Sequence, residues 1–594
     1  MILVSALYTY GQQLPNRYLE ETTPTYQVTK DVAFSTNIPT IKTTNLFGNK
    51  LANEESYGQV TTTLKMDIYR PTGDNLDKRP VIIFAFGGGF VNGSRTETSM
   101  VQLCQNFAKR GFVTATIDYR LGMNISDQQL SKRAVYRAIQ DGRSAVRFFR
   151  KNAATYGVDP DQIYISGHSA GAFLAYHTVY LDKDSERPAS TRLYMSTRAD
   201  LGGLDAIGDN KTNADGTLVN GKANGVMGFA GALGELSYIE NSSEVPAVYF
   251  HSSDDNTVPY NSGEPFSSIS WLPGFNLPMV YGSNLLNTRA GVVSANHTFY
   301  SYTNRGHNVH YSGSTVYSDI APRGSQFFYD NRLKPNTVVI NGSTTVCATC
   351  PAQTYSATNA AYYYDWQVVG GTFVNRDPYS NTVSVQWSST ATAKKLTVTP
   401  YSRQLARGNA TSIDITTNIA PIAKNNLNDI VDFSNVNLND YFTDPEGEAL
   451  SYKISTSSNE VAKINDITKT YNNILSIDKL TEQDATITIQ VTDGSSCVTT
   501  QILKLVNTPK PIFKATVSPN PFAENITIKL VGNYQGAITL ELFDDNGRMI
   551  STTNANKTAS DFNETLNVSN IKPGIYYLKI NNGKNQEIKR IVKN

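Results

Sequence analysis

A short apolar strand, Gln162-Ile-Tyr-Ile-Ser, runs directly into Gly167-His168-Ser169-Ala170-Gly171, and a helical run, Ala170-Gly-Ala-Phe-Leu-Ala-Tyr, leaves it. A chain passes from strand to helix in so few residues only through a sharp, strained turn. Glycines two positions either side of its centre are needed because the strand and helix backbones approach closely there. The neighbouring segments fit the same scheme. Val81-Ile-Ile-Phe-Ala-Phe, Phe112-Val-Thr-Ala-Thr-Ile-Asp-Tyr and Val245-Pro-Ala-Val-Tyr-Phe read as buried strands, and Leu64 to Arg70 as an alternating one. Between them, Ala134 to Tyr156 carries Val135, Ile139, Val146 and Phe149 at helical spacing, and it stops at Gly157 with Pro160 just beyond. Buried strands separated by helices predict an α/β domain, a mostly parallel sheet with crossovers on both faces. The segment before about Asn45 reads as polar.

The turn presents the Ser169 hydroxyl at the sheet edge, with free N–H groups of a helix N-terminus beside it, a setting that favours a developing oxyanion. An ordinary loop serine is the plain alternative. A serine hydroxyl needs a base to become nucleophilic, and the base needs an orienter. The chain has six histidines. His168 lies inside the turn, His177 two turns into the helix, and His251 and His297 at strand positions that read as core. His307, in Asn304-Arg-Gly-His-Asn-Val-His, follows the strand Thr298 to Tyr302 in a loop and is the expected base, with His310 the second choice. The acid belongs between serine and histidine in chain order. Asp255, in the Ser252-Ser-Asp-Asp-Asn-Thr-Val-Pro loop, is expected to fill that place, ahead of its neighbour Asp254. A turn-forming Asp-Asp-Asn cluster is the plainer alternative. Phe86-Gly87-Gly88-Gly89 follows a buried strand, so backbone N–H groups of Gly88 and Gly89 can join that of Ala170 as an oxyanion hole. A phosphate loop is the rival, but neither Lys-Ser/Thr nor G-x-G-x-x-G spacing follows. No cofactor is needed for this chemistry, and no metal is expected.

Near residue 335 the texture changes to short Thr/Val/Ile strands between Asn, Gly and Ser turns, which predicts small β-sandwich modules. Four cysteines are too few for a disulfide scaffold. Cys347 and Cys350 form a lone C-x-x-C, without the second pair a zinc site needs. A local disulfide or free thiols fit better. Lys and Arg number 52 against 51 Asp and Glu, so nucleic acid is a poor partner. Charged residues are 17% of the chain, below the roughly 25% usual in soluble proteins, a balance common in exported ones. Residues 1–12 read as the remnant of an export signal lacking its basic start. The longest strong apolar run spans about six residues against the roughly twenty a membrane span needs.

From about residue 60 to 330, Gly87-Gly-Gly-Phe-Val-Asn-Gly, Asp118-Tyr-Arg-Leu-Gly, Gln140-Asp-Gly-Arg-Ser-Ala-Val-Arg-Phe, Gly157-Val-Asp-Pro and Gly-His-Ser-Ala-Gly occur in that order. On these motifs the region resembles an α/β-hydrolase of the carboxylesterase and hormone-sensitive-lipase-like group, with Phe86 where the family's oxyanion loop often carries His. Residues 335–417 are similar to a PKD-like β-sandwich. Residues 420–508 resemble a cadherin-like module, which implies Asp444, Glu446, Glu448 and Asp493 as calcium ligands, although a solvated acidic turn is the plainer reading. Residues 513–594, with Pro519-Asn-Pro-Phe, Leu542-Phe-Asp-Asp-Asn-Gly-Arg and Pro573-Gly-Ile-Tyr-Tyr-Leu-Lys-Ile, resemble the type A sorting domain of the type IX secretion system. The expected organisation is a catalytic α/β-hydrolase domain over 45–334, then modules over 335–417, 420–508 and 513–594.

The resemblances imply a secreted serine esterase with Ser169, Asp255 and His307 as its triad and the type IX secretion machinery as its export partner. A serine peptidase on the same fold, or a surface adhesin with an inert hydrolase core, are the alternatives. Acylated polysaccharides, small aryl esters and polyesters are all open as substrates. The loops from about Glu186 to Glu244 and from Gly263 to Asn296, with Trp271 and Phe275, are expected to shape the pockets. No long amphipathic lid is evident, which disfavours a long-chain lipase.

Overall fold

The computed structural model describes residues 16–594 apart from 24, 74–75, 267–274, 348–350, 359–360, 425–435, 459–461, 465–472, 480–483, 496, 506–512, 533 and 559–560. The expected signal remnant, Cys350 and Trp271 lie outside the described residues. The chain divides into two compact units, Met1–Thr417 and Asn418–Asn594.

The first unit is built on an eight-stranded sheet of β1 (Tyr26–Thr40), β2 (Val60–Pro71), β3 (Arg79–Ala85), β4 (Val113–Ile117), β5 (Val158–His168), β6 (Gly225–Phe229), β7 (Ala247–Ser252) and β8 (His297–Tyr302). The spatial order is β1-β2-β4-β3-β5-β6-β7-β8. β1 pairs antiparallel with β2, and β2 with β4; from β4 to β8 every pairing is parallel. The 15-residue β1 lies ahead of residue 45, in the segment that reads as polar. It is an edge strand most of whose side chains meet water, so its apolar residues are interleaved with Gln, Thr, Lys, Asp, Ser and Asn.

The central strands are buried on both faces, and Val81, Ile82, Ile83 and Phe84 are all fully covered. α1 (Thr98–Lys109) packs with α5 (Ile320–Phe328), and α2 (Gln128–Lys151) with α3 (Ala170–Tyr180); α4 (Ser283–Val292) lies beside β7 and β8. Strand alternation assigns these pairs to opposite faces. Ile165 of β5 faces Gly142 of α2, whereas Met227 of β6, one position beyond Ile165's partner Val226, faces Gly324 of α5.

α2 begins earlier than its apolar spacing suggests. The Asp127 carboxylate accepts from the Gln129 and Leu130 N–H groups and caps it seven residues before Ala134. The helix breaks at Asn152 before a single further turn, Ala153–Tyr156. Its buried face carries arginines as well as apolar residues. Arg133 and Arg137 share the Glu54 carboxylate at 3.1 and 2.7 Å, and Arg120 pairs with Asp141 at 2.9 Å. Arg133 also donates to the Ser190 and Ala199 carbonyls, Gln140 to those of Leu201 and Gly203, and Arg143 and Arg147 to Asp205. These contacts anchor the long excursion between α3 and β6, which has no strand of the main sheet.

Residues 335–417 of the first unit include two small antiparallel sheets around one core. Trp366 lies on one sheet, while Tyr355 and Trp387 lie on the other and are joined by an indole-to-phenol hydrogen bond of 2.9 Å. Tyr18 and Gln404 tie this part to the hydrolase fold: the Tyr18 hydroxyl donates to the Gln404 carbonyl at 2.7 Å, and the Gln404 amide to Asp159 at 2.5 Å. The second unit is also made of small antiparallel sheets, with one core around Leu438, Phe442 and Ile489 and another around Phe522, Leu540 and Leu578. Cys347 is disulfide-bonded, as is Cys497, each within the described residues, and Cys104 is a buried free thiol.

The Glu54 carboxylate is 1% exposed between guanidinium groups that are fully buried. Glu54→Gln keeps the shape but leaves those charges uncompensated, so it should destabilise the first unit by about 3–5 kcal/mol. The check is the denaturant midpoint of the full chain's hydrolase transition; an unchanged midpoint contradicts the assignment.

Candidate active site

The site begins at the junction of β5 and α3. Ser169 has φ 53° and ψ −120°, a left-handed conformation for a residue with a side chain, which costs of order 1–3 kcal/mol. The surrounding packing enforces it. A Cβ on Gly171 would lie 2.1 Å from the Ala85 carbonyl oxygen, and one on Gly167 would lie 2.4 Å from the Gly171 carbonyl. Only glycine permits these approaches, and the Ser169 N–H is held by the Phe229 carbonyl at 2.9 Å.

Three segments converge on this turn. His307 Nε2 lies 2.9 Å from Ser169 Oγ, and His307 Nδ1 lies 2.9 and 3.1 Å from the two Asp255 oxygens. Asp255 Oδ1 also accepts from the Thr257 and Val258 N–H groups at 2.8 and 3.0 Å. Burial would by itself raise this carboxyl, but hydrogen bonds and charge from His251 and His307 outweigh it and hold it well below the ordinary carboxylate range. Asp254 does a different job: its carboxylate accepts from the Ser252 hydroxyl and the Gly306 N–H and so ties the β7 loop to the His307 loop. Arg305, to which sequence reasoning gave no role, lies between the Tyr302 and Tyr317 rings at 3.8 and 4.1 Å and pairs with Asp319 at 3.2 Å. It braces the same loop.

The N–H groups of Gly88, Gly89 and Ala170 have no acceptor among the described residues. Gly88 has φ 114°, and a Cβ there would lie 2.4 Å from the Asn92 carbonyl. Phe86 stacks on Tyr119 at 4.3 Å, and the Tyr119 hydroxyl donates to the Phe86 carbonyl at 2.8 Å, which fixes the start of this loop. A hairpin of Lys42–Leu46 and Asn49–Asn53 buttresses its far side, with the Lys50 N–H on the Val91 carbonyl at 2.7 Å.

The other histidines are buried or bonded elsewhere. His168 Nε2 lies 3.1 Å from the His307 carbonyl, and burial, with His307 beside it, lowers its pKa to about 3. His310 Nε2 meets Ser99 Oγ at 2.8 Å, and burial beside His168 and His307 holds it well below the usual range. His177 is fixed by the Phe173 carbonyl and the Gly234 N–H; burial lowers it to about 4. His297 Nδ1 lies 2.8 Å from the Ala295 carbonyl. His251 occupies the core position expected of it and also reaches Asp255, a link that only its spacing of four residues could have signalled.

Two cavities meet at Ser169. The larger, about 700 Å³, runs between α2 and α3 and is lined by Val135, Ile139, Phe173, Leu181 and Leu277, with Lys132 and Glu186 among its polar residues. The smaller, about 390 Å³, lies on the His307 side and is lined by Asn49, Asn92, Ile125, Thr257 and Phe275. Ser169, Gly89, Met123 and Phe266 belong to both. In the second unit, carboxylate oxygens of Asp444, Glu448 and Asp493 come within 4.8 Å of one another; Glu446 is not in that group.

Strand order, helix placement and the strained turn define an α/β-hydrolase. Residues 66–269 match the BD-FAE family model, and residues 516–594 match the secretion system C-terminal sorting domain. The chain thus carries an esterase-type α/β-hydrolase domain and a C-terminal sorting domain that marks it for export to the cell surface or beyond. No helix among the described residues is long and apolar enough to cross a membrane. The chain is 29% identical over 159 residues to a probable isoprenylcysteine alpha-carbonyl methylesterase of Oryza sativa, covering 26% of this chain and 35% of that protein. It is 33% identical over 110 residues to gut esterase 1 of Caenorhabditis elegans, covering 18% of this chain and 19% of that one. It therefore spans about a third or less of the length of these curated relatives. The propionate-bound esterase 2 of Thermogutta terrifontis is 23% identical with a TM-score of 0.33, covering 46% of this chain and 93% of that one.

His168, His177 and His310 stay neutral in the fold, but once unfolded they bind protons near the ordinary value of about 6.5. The unfolded state then holds more protons than the native state, so stability is lost as pH falls from about 6.5 towards 4. Each such group contributes up to about 1.4 kcal/mol per pH unit. Denaturant midpoints at pH 7.5, 6 and 5 should fall in that order; a flat profile contradicts the burial of these imidazoles.

Proposed function

We propose that the chain is an exported serine esterase in which Ser169 is the nucleophile, His307 the general base and acid, and Asp255 the group that orients and charges the imidazole. The single observation that carries this reading is the continuous hydrogen-bond line from Asp255 through His307 to Ser169, opposite three uncommitted N–H groups. As His307 Nε2 takes the hydroxyl proton, Ser169 Oγ bonds to the ester carbonyl carbon. The carbonyl oxygen becomes an oxyanion held by the N–H groups of Gly88, Gly89 and Ala170, reinforced by the N-terminus of α3. The bond to the alcohol oxygen then breaks, and His307 gives that oxygen the proton. Water repeats the sequence on the acyl-serine, releasing the acid and returning the proton to Ser169.

The direction of proton transfer assigns the cavities. The leaving oxygen must lie near His307, so the alcohol occupies the smaller cavity, which His307 lines, and the acyl group the larger one. An acyl group well above butyryl in size fits a space of about 700 Å³, and an alcohol bearing further hydroxyls suits Asn49, Asn92 and Thr257. The type IX secretion machinery is the proposed partner of the C-terminal domain.

The test is hydrolysis of p-nitrophenyl acetate, butyrate and benzoate, and of an acylated polysaccharide, by the full chain. Ser169→Ala should lower kcat by about 10⁴- to 10⁶-fold, with the acyl preference of the wild type extending to benzoate. Equal rates for wild type and variant contradict the assignment.

A further inference from the structure

The Asp255 carboxylate has a second imidazole partner. His251 Nε2 lies 3.0 Å from Asp255 Oδ2 and 3.3 Å from the Val258 carbonyl oxygen. Both are acceptors, so this nitrogen carries a hydrogen and donates. His251 Nδ1 lies 3.0 Å from Ser283 Oγ, at the start of α4, and Ser283 in turn lies 3.2 Å from the Gly231 carbonyl. The ring is fully buried, as is the Asp255 side chain, and Tyr260 meets it edge-on at 5.6 Å. The same Oδ2 therefore receives His307 Nδ1 at 2.9 Å from one side and His251 Nε2 at 3.0 Å from the other.

We infer that His251 is a positioning residue that acts through Asp255: its Nε2–H fixes the carboxylate's rotation and draws charge from Oδ2, and so sets how strongly Asp255 holds a proton on His307. The inference rests on the esterase reading above and deepens it. With Thr257 and Val258 on Oδ1 and His251 on Oδ2, the carboxylate is left one direction in which to turn, towards His307 Nδ1. His251 lines neither cavity, so its effect reaches the substrate only through the Asp255–His307–Ser169 line. The titratable groups around the ring are Asp255 and Tyr260 in contact, with His307 and His168 one residue further off.

Two amide substitutions separate positioning from packing. In His251→Gln the side-chain NH₂ falls near the place of Nε2 and can still donate to Asp255. In His251→Asn it falls near Nδ1, can still meet Ser283, and leaves Oδ2 without that donor. Both are polar and smaller than or similar to His, so a purely structural role predicts similar losses for the pair. Positioning predicts that His251→Asn loses kcat by about 10- to 100-fold, the rate equivalent of one charge-assisted hydrogen bond, with KM unchanged, while His251→Gln retains most of it. The acid limb of the kcat/KM–pH profile should move to higher pH in His251→Asn alone. An Asp255 carboxylate relieved of that donor binds the His307 imidazolium more tightly, and its proton is then lost only at higher pH. Equal activity and equal limbs in both variants, or equal losses with unmoved limbs, overturn the role. If His251→Asn does not fold, His251→Gln compared with Ser283→Ala decides it. Gln must then keep the wild-type limb, and a shifted limb with Gln overturns the role. Wild-type activity that survives Ser169→Ala overturns the esterase reading itself, and this inference with it.

Discussion

A hydrogen-bond line crossing three chain segments, from Asp255 after β7 through His307 after β8 to Ser169 at the head of α3, is the constraint that the first unit is built around. Each end is set by a different device. The serine is fixed by a backbone turn so tight that Gly171 lies against the Ala85 carbonyl. The carboxylate is locked by backbone N–H groups and a buried imidazole, and His307 is carried on a loop tied down by Asp254 and by Arg305 between two tyrosines. A parallel sheet makes this economical, because its loops all emerge at the carboxyl ends of the strands, where parallel register brings distant segments together.

The space beside that line depends on α2. A helix whose buried face carries Arg133, Arg137, Arg143 and Arg147 would be unstable alone, since each buried guanidinium demands partners. Glu54, Asp205 and a row of carbonyls from residues 190 to 207 supply them. The polar contacts on one flank of α2 hold the excursion that closes the larger cavity, while Val135 and Ile139 on another flank line it. One helix thereby links the stability of the fold to the shape of the pocket.

Much of this was legible in the sequence because it is local or periodic. The strand-turn-helix at Gly167–Gly171, the buried strands and the glycines before Phe90 each leave a signature within a few residues. What was hidden depends on distance. β1 is nearly illegible because an edge strand shows water most of its side chains, so Tyr26 to Thr40 reads as a polar segment. Which of Asp254 and Asp255 faces His307 is a matter of loop conformation that composition does not encode. His251 read as a core residue, and it is one; its bond to Asp255 follows from the turn that folds the β7 loop back by four residues. The start of α2 was missed because an Asx cap, not apolar spacing, sets it.

The sorting domain over residues 516–594 has its own core, around Phe522, Leu540 and Leu578. The central claim, that folding alone activates one serine among many, is tested most directly with a fluorophosphonate probe on the full-length protein and peptide mapping by mass spectrometry. One adduct per chain on Ser169, lost in His307→Ala, is the expected result. Absence of labelling on the folded protein, or an adduct at another serine with Ser169 untouched, would contradict it.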